Sequence, residues 1–506
     1  MSGERSHGTR DVELVEVDGT SAPTGSRDVE ATGPPSFRDV WWRRHRWWLA
    51  PGLAVAIVAG ISVVHAVQVR LYLAGLAGVP GIAAPIDGPV HELWSADASF
   101  QVLGQVGDVL VGTVTDGDGV MTARGVDAAT GVVTWSVPVT VPAAWGGSCA
   151  LADGPVTGPH RAVLACHVVD EATSVPPHAG VRSLGQPLRA HLATLDPLTG
   201  TVLGTVTAGP LDTIVVVGTD LAVASHEAGP TGGESTVRRW DPRTWAVVWT
   251  ASRRDPAGGG SSSTSIQESG GVLLVQNAGD VWEVSASGVE LRSWTGLRTD
   301  TGQWLTRTAG GHVLWTRYGQ VAAPSEDGSG GTVFATDDTS VITDLGEGTT
   351  FALQHQVPWT ADVDDGSAPD LLLVAGAEPV AYDLRTGKPI WRAQHEIGAF
   401  VVLDGTVYAA GTGTVSALDA RTGATRWSVR TGTSLDRGAL ETDGRSLFVV
   451  TVRAGDDVST VEALDLTSGS VSWTSRLSHV FDVLEVLGGH LAVVSYTDTA
   501  RTTMLG

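Results

Sequence analysis

For most of its length the chain alternates short apolar runs with clusters of polar turn residues, at the period of strands. The stretch "VSALDARTGATRW", residues 415–427, shows the unit: an apolar run, a tight turn carrying Asp, Thr and Gly, and a second run ending on tryptophan. Val and Thr are plentiful and the 64 glycines punctuate the runs, a pattern that favours many short strands over long helices. It predicts an all-β fold.

The same phrase recurs with identical internal spacing. It reads Asp127, Gly131, Trp135; Asp383, Gly387, Trp391; Asp419, Gly423, Trp427; and Asp465, Gly469, Trp473. Two copies are damaged: "LATLDPLTGTVLG" ends on Gly204 where tryptophan is expected, and "VRRWDPRTWAVVW" places Trp245 where glycine is expected. "VWEVSASGVELRSW" near Gly288 and a segment around "VFATDDTSVIT" read as eroded members. Strands repeating at a period of roughly forty residues without helices predict propeller blades, each a four-stranded antiparallel sheet. The Asp is expected to accept backbone N–H groups in its turn, the Gly to take a left-handed conformation, and the Trp to pack on the neighbouring blade. These residues are structural, not catalytic. Eight markers predict eight blades, with seven the next count. "VHELWSAD" around Trp94 and the C-terminal "FDVLEVLGGHLAVVSYTDTARTTMLG" are expected to complete one blade between them, which removes a free edge and lowers the count by one.

One stretch breaks the pattern. Trp47 to Val69 contains no Asp, Glu, Lys or Arg, and its 23 residues are enough to span a hydrocarbon core of about 30 Å as a helix. Arg43, Arg44 and Arg46 precede it, Arg70 follows, and Trp41, Trp42, Trp47 and Trp48 suit an interfacial belt. The expectation is an uncleaved single-pass anchor with the N-terminus cytoplasmic and the propeller outside; a cleaved signal peptide fits less well, the polar leader being long for it. Residues 1–40 then form a disordered tail, 41–70 the juxtamembrane segment and helix, 71–89 a linker and 90–506 the propeller.

Charge narrows the partners. Carboxylates outnumber cations 55 to 32, for a net charge of −23, which argues against nucleic acid. Lys388 is the only lysine. The two cysteines, Cys149 and Cys166, lie in apolar runs on either side of a Gly/Pro turn, which leaves two readings: a disulfide in an oxidising compartment, or two inert buried thiols.

The repeated phrase resembles the turn motif of the pyrroloquinoline quinone (PQQ) repeat family over roughly residues 90–500. The resemblance implies an eight-bladed propeller. The family contains PQQ-dependent alcohol dehydrogenases as well as non-enzymatic propellers such as the assembly lipoprotein of the BAM complex. The dehydrogenases are expected to show a bound calcium or lanthanide ion, a catalytic Asp and a vicinal disulfide; here Cys149 and Cys166 are not adjacent, and no cofactor residue can be carried over. Asp362, Asp364, Asp365 and Asp370, and Asp116 with Asp118, offer oxygens of the kind calcium accepts but lack the twelve-residue loop with its terminal Glu, and read as acidic turns between blades. The expectation is a membrane-anchored binding or scaffold module at the bacterial cell envelope, with a protein or polymer partner and without a cofactor. A quinoprotein using PQQ with calcium, and an envelope sensor, are the alternatives.

Overall fold

The computed structural model describes Val67 and most of residues 70–506; the longest stretches outside the description are 174–184, 255–263, 319–338 and 433–439. The polar leader, all but Val67 of the apolar run at 47–69, most of the Gly/Ser-rich loop after Arg253, and Asp118 lie outside the described residues. The chain divides into two units, Met1–Leu71 and Tyr72–Gly506.

In the second unit the apolar runs form strands, and among the described residues these assemble into nine sheets. In chain order we number the blades 1 (101–138), 2 (148–208), 3 (213–254), 4 (264–294), 5 (303–354), 6 (371–392), 7 (399–430), 8 (440–476) and 9 (483–505). Blade 9 is completed by Glu92–Asp97, which runs antiparallel to Arg501–Leu505, with Ser95 opposite Thr503 and Asp97 opposite Arg501. The two ends of the propeller therefore close one sheet, as the sequence predicts.

The count of seven or eight blades needs correction. Each of the first eight blades carries its own turn between its last two strands, whereas blade 9 takes its outer strand from the other end of the propeller and has no such turn. Closure thus adds a blade to the eight turns instead of removing one. The predicted transmembrane helix is not supported either. No helix among the described residues is long and apolar enough to cross a membrane. Around the predicted span the described helical residues are Val67 and 70–76, and seven residues rise only about 10 Å.

The core lies in layers between neighbouring blades. Between blades 6 and 7, for example, Leu373, Ala381 and Trp391 pack with Phe400, Val402, Val407 and Leu418. The repeated turns position these layers. Gly423 N donates to Asp419 O at 2.8 Å, and the Asp419 carboxylate accepts the Thr422 N–H at 3.0 Å and its hydroxyl at 2.9 Å. Gly423 has φ +70°, and a Cβ there would stand 2.7 Å from the Trp391 ring of the preceding blade. The glycine is needed twice, for its left-handed backbone and for the close approach of the indole.

Six indoles also donate across the seam to the carbonyl of the second residue of the next turn. Trp94 donates to Ala128 O (2.8 Å), Trp135 to Pro197 O (3.0 Å), Trp249 to Ala286 O (2.9 Å), Trp294 to Leu345 O (2.7 Å), Trp391 to Ala420 O (2.8 Å) and Trp427 to Leu466 O (2.9 Å). Trp473 faces a blade without a turn and packs instead on Phe448, with ring centroids 5.7 Å apart.

The two damaged repeats repair each other. Gly204 stands in the tryptophan position of blade 2, and Trp245, with φ +59°, stands in the glycine position of blade 3. A Cβ on Gly204 would meet Trp245 Nε1 at 2.8 Å, so the indole fills the same seam from the opposite side. Gly204→Trp alone is expected to lower the unfolding midpoint by overpacking, a cost of about 1–3 kcal/mol, and adding Trp245→Gly is expected to recover much of it. Simple addition of the two single losses in denaturant titrations would refute the inverted pairing.

Candidate functional site

Among the larger surface cavities is a groove of about 660 Å³ between blades 6 and 7, on the face that carries the repeated turns. Its apolar wall includes Pro369, Leu371 and Ile390, the last 43% exposed. Its rim carries Asp370, Asp383, Arg385, Asp404, Asp419, Arg421 and Arg426. Several of these charges are held in place. Arg426 donates to Asp419 at 2.9 Å and to the Thr406 hydroxyl at 2.6 Å, and its guanidinium, with the Thr422 hydroxyl, holds the Asp419 carboxyl down at about 2. Arg385 lies 3.3 Å from Asp370.

The groove wall contains Asp383, Asp419 and Arg426 of the repeated turns, so the structural motif also shapes a surface. Trp391 and Gly423 lie in the seam behind it, whereas Asp127, Gly131 and Trp135, and Asp465, Gly469 and Trp473, serve other blades.

The acids weighed as calcium donors are not brought together. Asp364 accepts Gly366 N at 2.8 Å, Asp365 accepts Ser367 N at 2.9 Å and Asp404 N at 2.8 Å, and Asp370 engages His312 and Arg385. Asp116 caps Val120 N at 2.9 Å in another blade. Among the described residues no group of three or more His, Cys, Asp or Glu side chains is arranged to hold a metal ion. Cys149 and Cys166 are paired directly across the first two strands of blade 2 and joined by a disulfide.

Two features escape sequence reasoning. The first is a set of buried acids toward the inner strands, of which only Asp362 was weighed, and then as a calcium donor. Glu441, 7% exposed in the inner strand Leu440–Thr442 of blade 8, is pushed up to about 9 by burial and by the nearby carboxyls of Asp362 and Glu485. Burial alone pushes Asp362 up to about 6 and raises Glu485. A strap of chain lies beside them: Ile82 bridges Thr442, Ala83 N donates to Thr442 O at 2.8 Å, Ala84 N to Gly489 O at 2.7 Å, and Ile86 N to Asp443 Oδ2 at 3.1 Å. The second is His312, which bridges blades 5 and 6.

Residues 376–502 match a family model described as outer membrane protein assembly factor BamB. The chain carries a PQQ-like β-propeller. Solved structures similar to it include BamB from Moraxella catarrhalis, at 14% identity and TM-score 0.36 over 82% of this chain and 99% of that one. They also include the computationally designed Ika8 protein, at 13% identity and TM-score 0.37 over 83% and 100%. A third is the quinohemoprotein alcohol dehydrogenase ADHIIG from Pseudomonas putida HK5, at 12% identity and TM-score 0.36 over 83% and 76%. No curated protein matches the chain. The PQQ-like repeat carries over to this chain; the expectation of eight blades that came with it does not.

Proposed function

We propose that the chain is a non-catalytic binding module of the cell envelope that works outside the cytoplasm and engages a protein partner through the groove between blades 6 and 7. The observation that carries this reading is that most of the groove's rim, from Asp383 to Arg426, falls within the span matching the BamB assembly factor model. Apolar Leu371 and Ile390 beside a charged rim resemble the division of a protein interface into a dry centre and a polar margin. The Cys149–Cys166 disulfide supports an oxidising compartment. No cofactor forms part of the proposal.

A photo-reactive residue at Ile390 in the full chain, expressed in its own host, is expected to trap a discrete protein adduct that Arg421→Glu weakens. The same probe at Val248, a more exposed outer-strand position in blade 3, is expected to trap none. Equal adducts at both positions would overturn the assignment of the groove. Calcium-dependent binding of PQQ at micromolar concentration or below would replace the binding reading with a quinoprotein one.

A further inference from the structure

The seam between blades 5 and 6 lacks the indole that locks its neighbours, because the outer strand of blade 5, Thr350–Gln354, contains no tryptophan. The Thr349 hydroxyl donates to Arg385 O there at 2.9 Å, and a histidine makes the charged part of the connection. His312, at the turn between the first two strands of blade 5, directs Nδ1 at Asp344 Oδ2 of its own blade (2.5 Å) and Nε2 at Asp370 Oδ1 beside blade 6 (3.3 Å). Neutral imidazole has one N–H, so it can satisfy only one of these carboxylates and must turn a lone pair toward the other; only the imidazolium donates to both. We propose that this seam is a proton-operated latch, in which charged His312 bolts blade 5 to blade 6 and loss of its proton loosens the ring at that place.

The surroundings fit a latch. Asp344 is fully buried and also accepts Gly346 N at 2.9 Å, so it cannot swing away to follow another partner. Asp370 is shared with Arg385, 3.3 Å away, which can keep that carboxylate when the imidazole releases it. On the blade 5 side Arg292 donates to Gly311 O, and Arg307 lies beside the same turn; both are held by the buried Glu283. Asp383 lies 3.9 Å from Arg385. Among the described residues blade 6 has no fourth strand: Val363–Asp364, which precedes it, pairs in parallel with Ala399–Leu403 of blade 7.

The hydrogen bond to Asp344 holds the His312 proton above the ordinary imidazole range. The stabilisation is therefore fully present below about pH 6.5, the ordinary imidazole value, and is lost as pH rises through the higher folded value.

Hydrogen exchange on the full chain from pH 6 to 9, corrected for intrinsic rates, tests the latch. Amides in 339–354 and 371–392 are expected to exchange about tenfold faster, relative to those in 101–138, once His312 is neutral. His312→Gln, which keeps one hydrogen bond but carries no charge, is expected to show the fast rates at every pH, and Glu441→Gln is expected to leave this local titration in place. Exchange that rises uniformly around the ring, or a His312→Gln variant that keeps the pH dependence of the parent, would overturn the proposal.

Discussion

Glu441→Gln is expected to stabilise the propeller at neutral and alkaline pH while changing little near pH 4. The carboxyl is buried, and its ionisation is resisted by burial, Asp362 and Glu485 together, which place it at about 9. An acid raised in the folded state contributes stability that is whole below its unfolded value and is lost as pH climbs toward the folded one. At pH 7 the penalty for keeping Glu441 protonated against an unfolded chain that has released the proton is about 3 kcal/mol. Asp362, raised to about 6, adds a smaller loss in the same direction between its ordinary value and pH 6. The parent protein should therefore be most resistant to denaturant under mildly acidic conditions, and Glu441→Gln should flatten the decline toward pH 8. A variant no more stable than the parent at pH 8 would show that the carboxyl is already ionised there at no cost.

The second large effect is at the seam between blades 6 and 7. Trp391→Ala is expected to cost about 3–5 kcal/mol, the range for removing a buried aromatic side chain and leaving a cavity. The site leaves little room for repair, because the ring is covered by Gly423, whose backbone approaches as it does only for want of a Cβ, and by the Ala420 carbonyl that takes its N–H. Trp391→Phe keeps most of the packing and leaves that carbonyl without its donor, so a loss of about 1–3 kcal/mol is expected. Denaturant midpoints measured at constant pH give both values. Equal losses for Ala and Phe would assign the seam to the hydrogen bond and not to packing.

What could be read in the sequence was whatever the repeat states locally. The turn at Asp419 to Gly423 builds the same hydrogen bonds wherever Asp, Thr and Gly keep their spacing, so blades 1, 6, 7 and 8 were legible, as was the joining of the two ends at Trp94. Blade 5 was legible only in part. Its eroded marker was expected around "VFATDDTSVIT", whereas the turn runs from Asp344 to Gly348, where Gly348 N still donates to Asp344 O at 2.8 Å although the threonine and tryptophan are gone. The Asp-to-Gly spacing was the signal that survives there. In blade 4, Glu283 faces Arg292 across the pair of strands that in blades 1, 6, 7 and 8 sets Ala or Gly against Trp, and Trp294, two residues on, performs the donation. Gly204 and Trp245 each read as damage, because their compensation exists only between blades. His312 and Glu441 gave no signal at all. A lone histidine in a turn and an acid in a three-residue strand acquire their chemistry from residues tens of positions away.

Ring closure through the chain ends is what fixes the architecture at nine blades, and it can be tested directly by a crosslink. Ser95 and Thr503 are paired across Glu92–Asp97 and Arg501–Leu505, with their hydroxyls 2.7 Å apart. In the full chain carrying Ser95→Cys and Thr503→Cys, closure requires an intramolecular disulfide, found by peptide mapping as a 95–503 link and accompanied by a higher unfolding midpoint under oxidising conditions. Two thiols that both remain free under those conditions, in a protein that is otherwise folded, would contradict the closed nine-bladed ring.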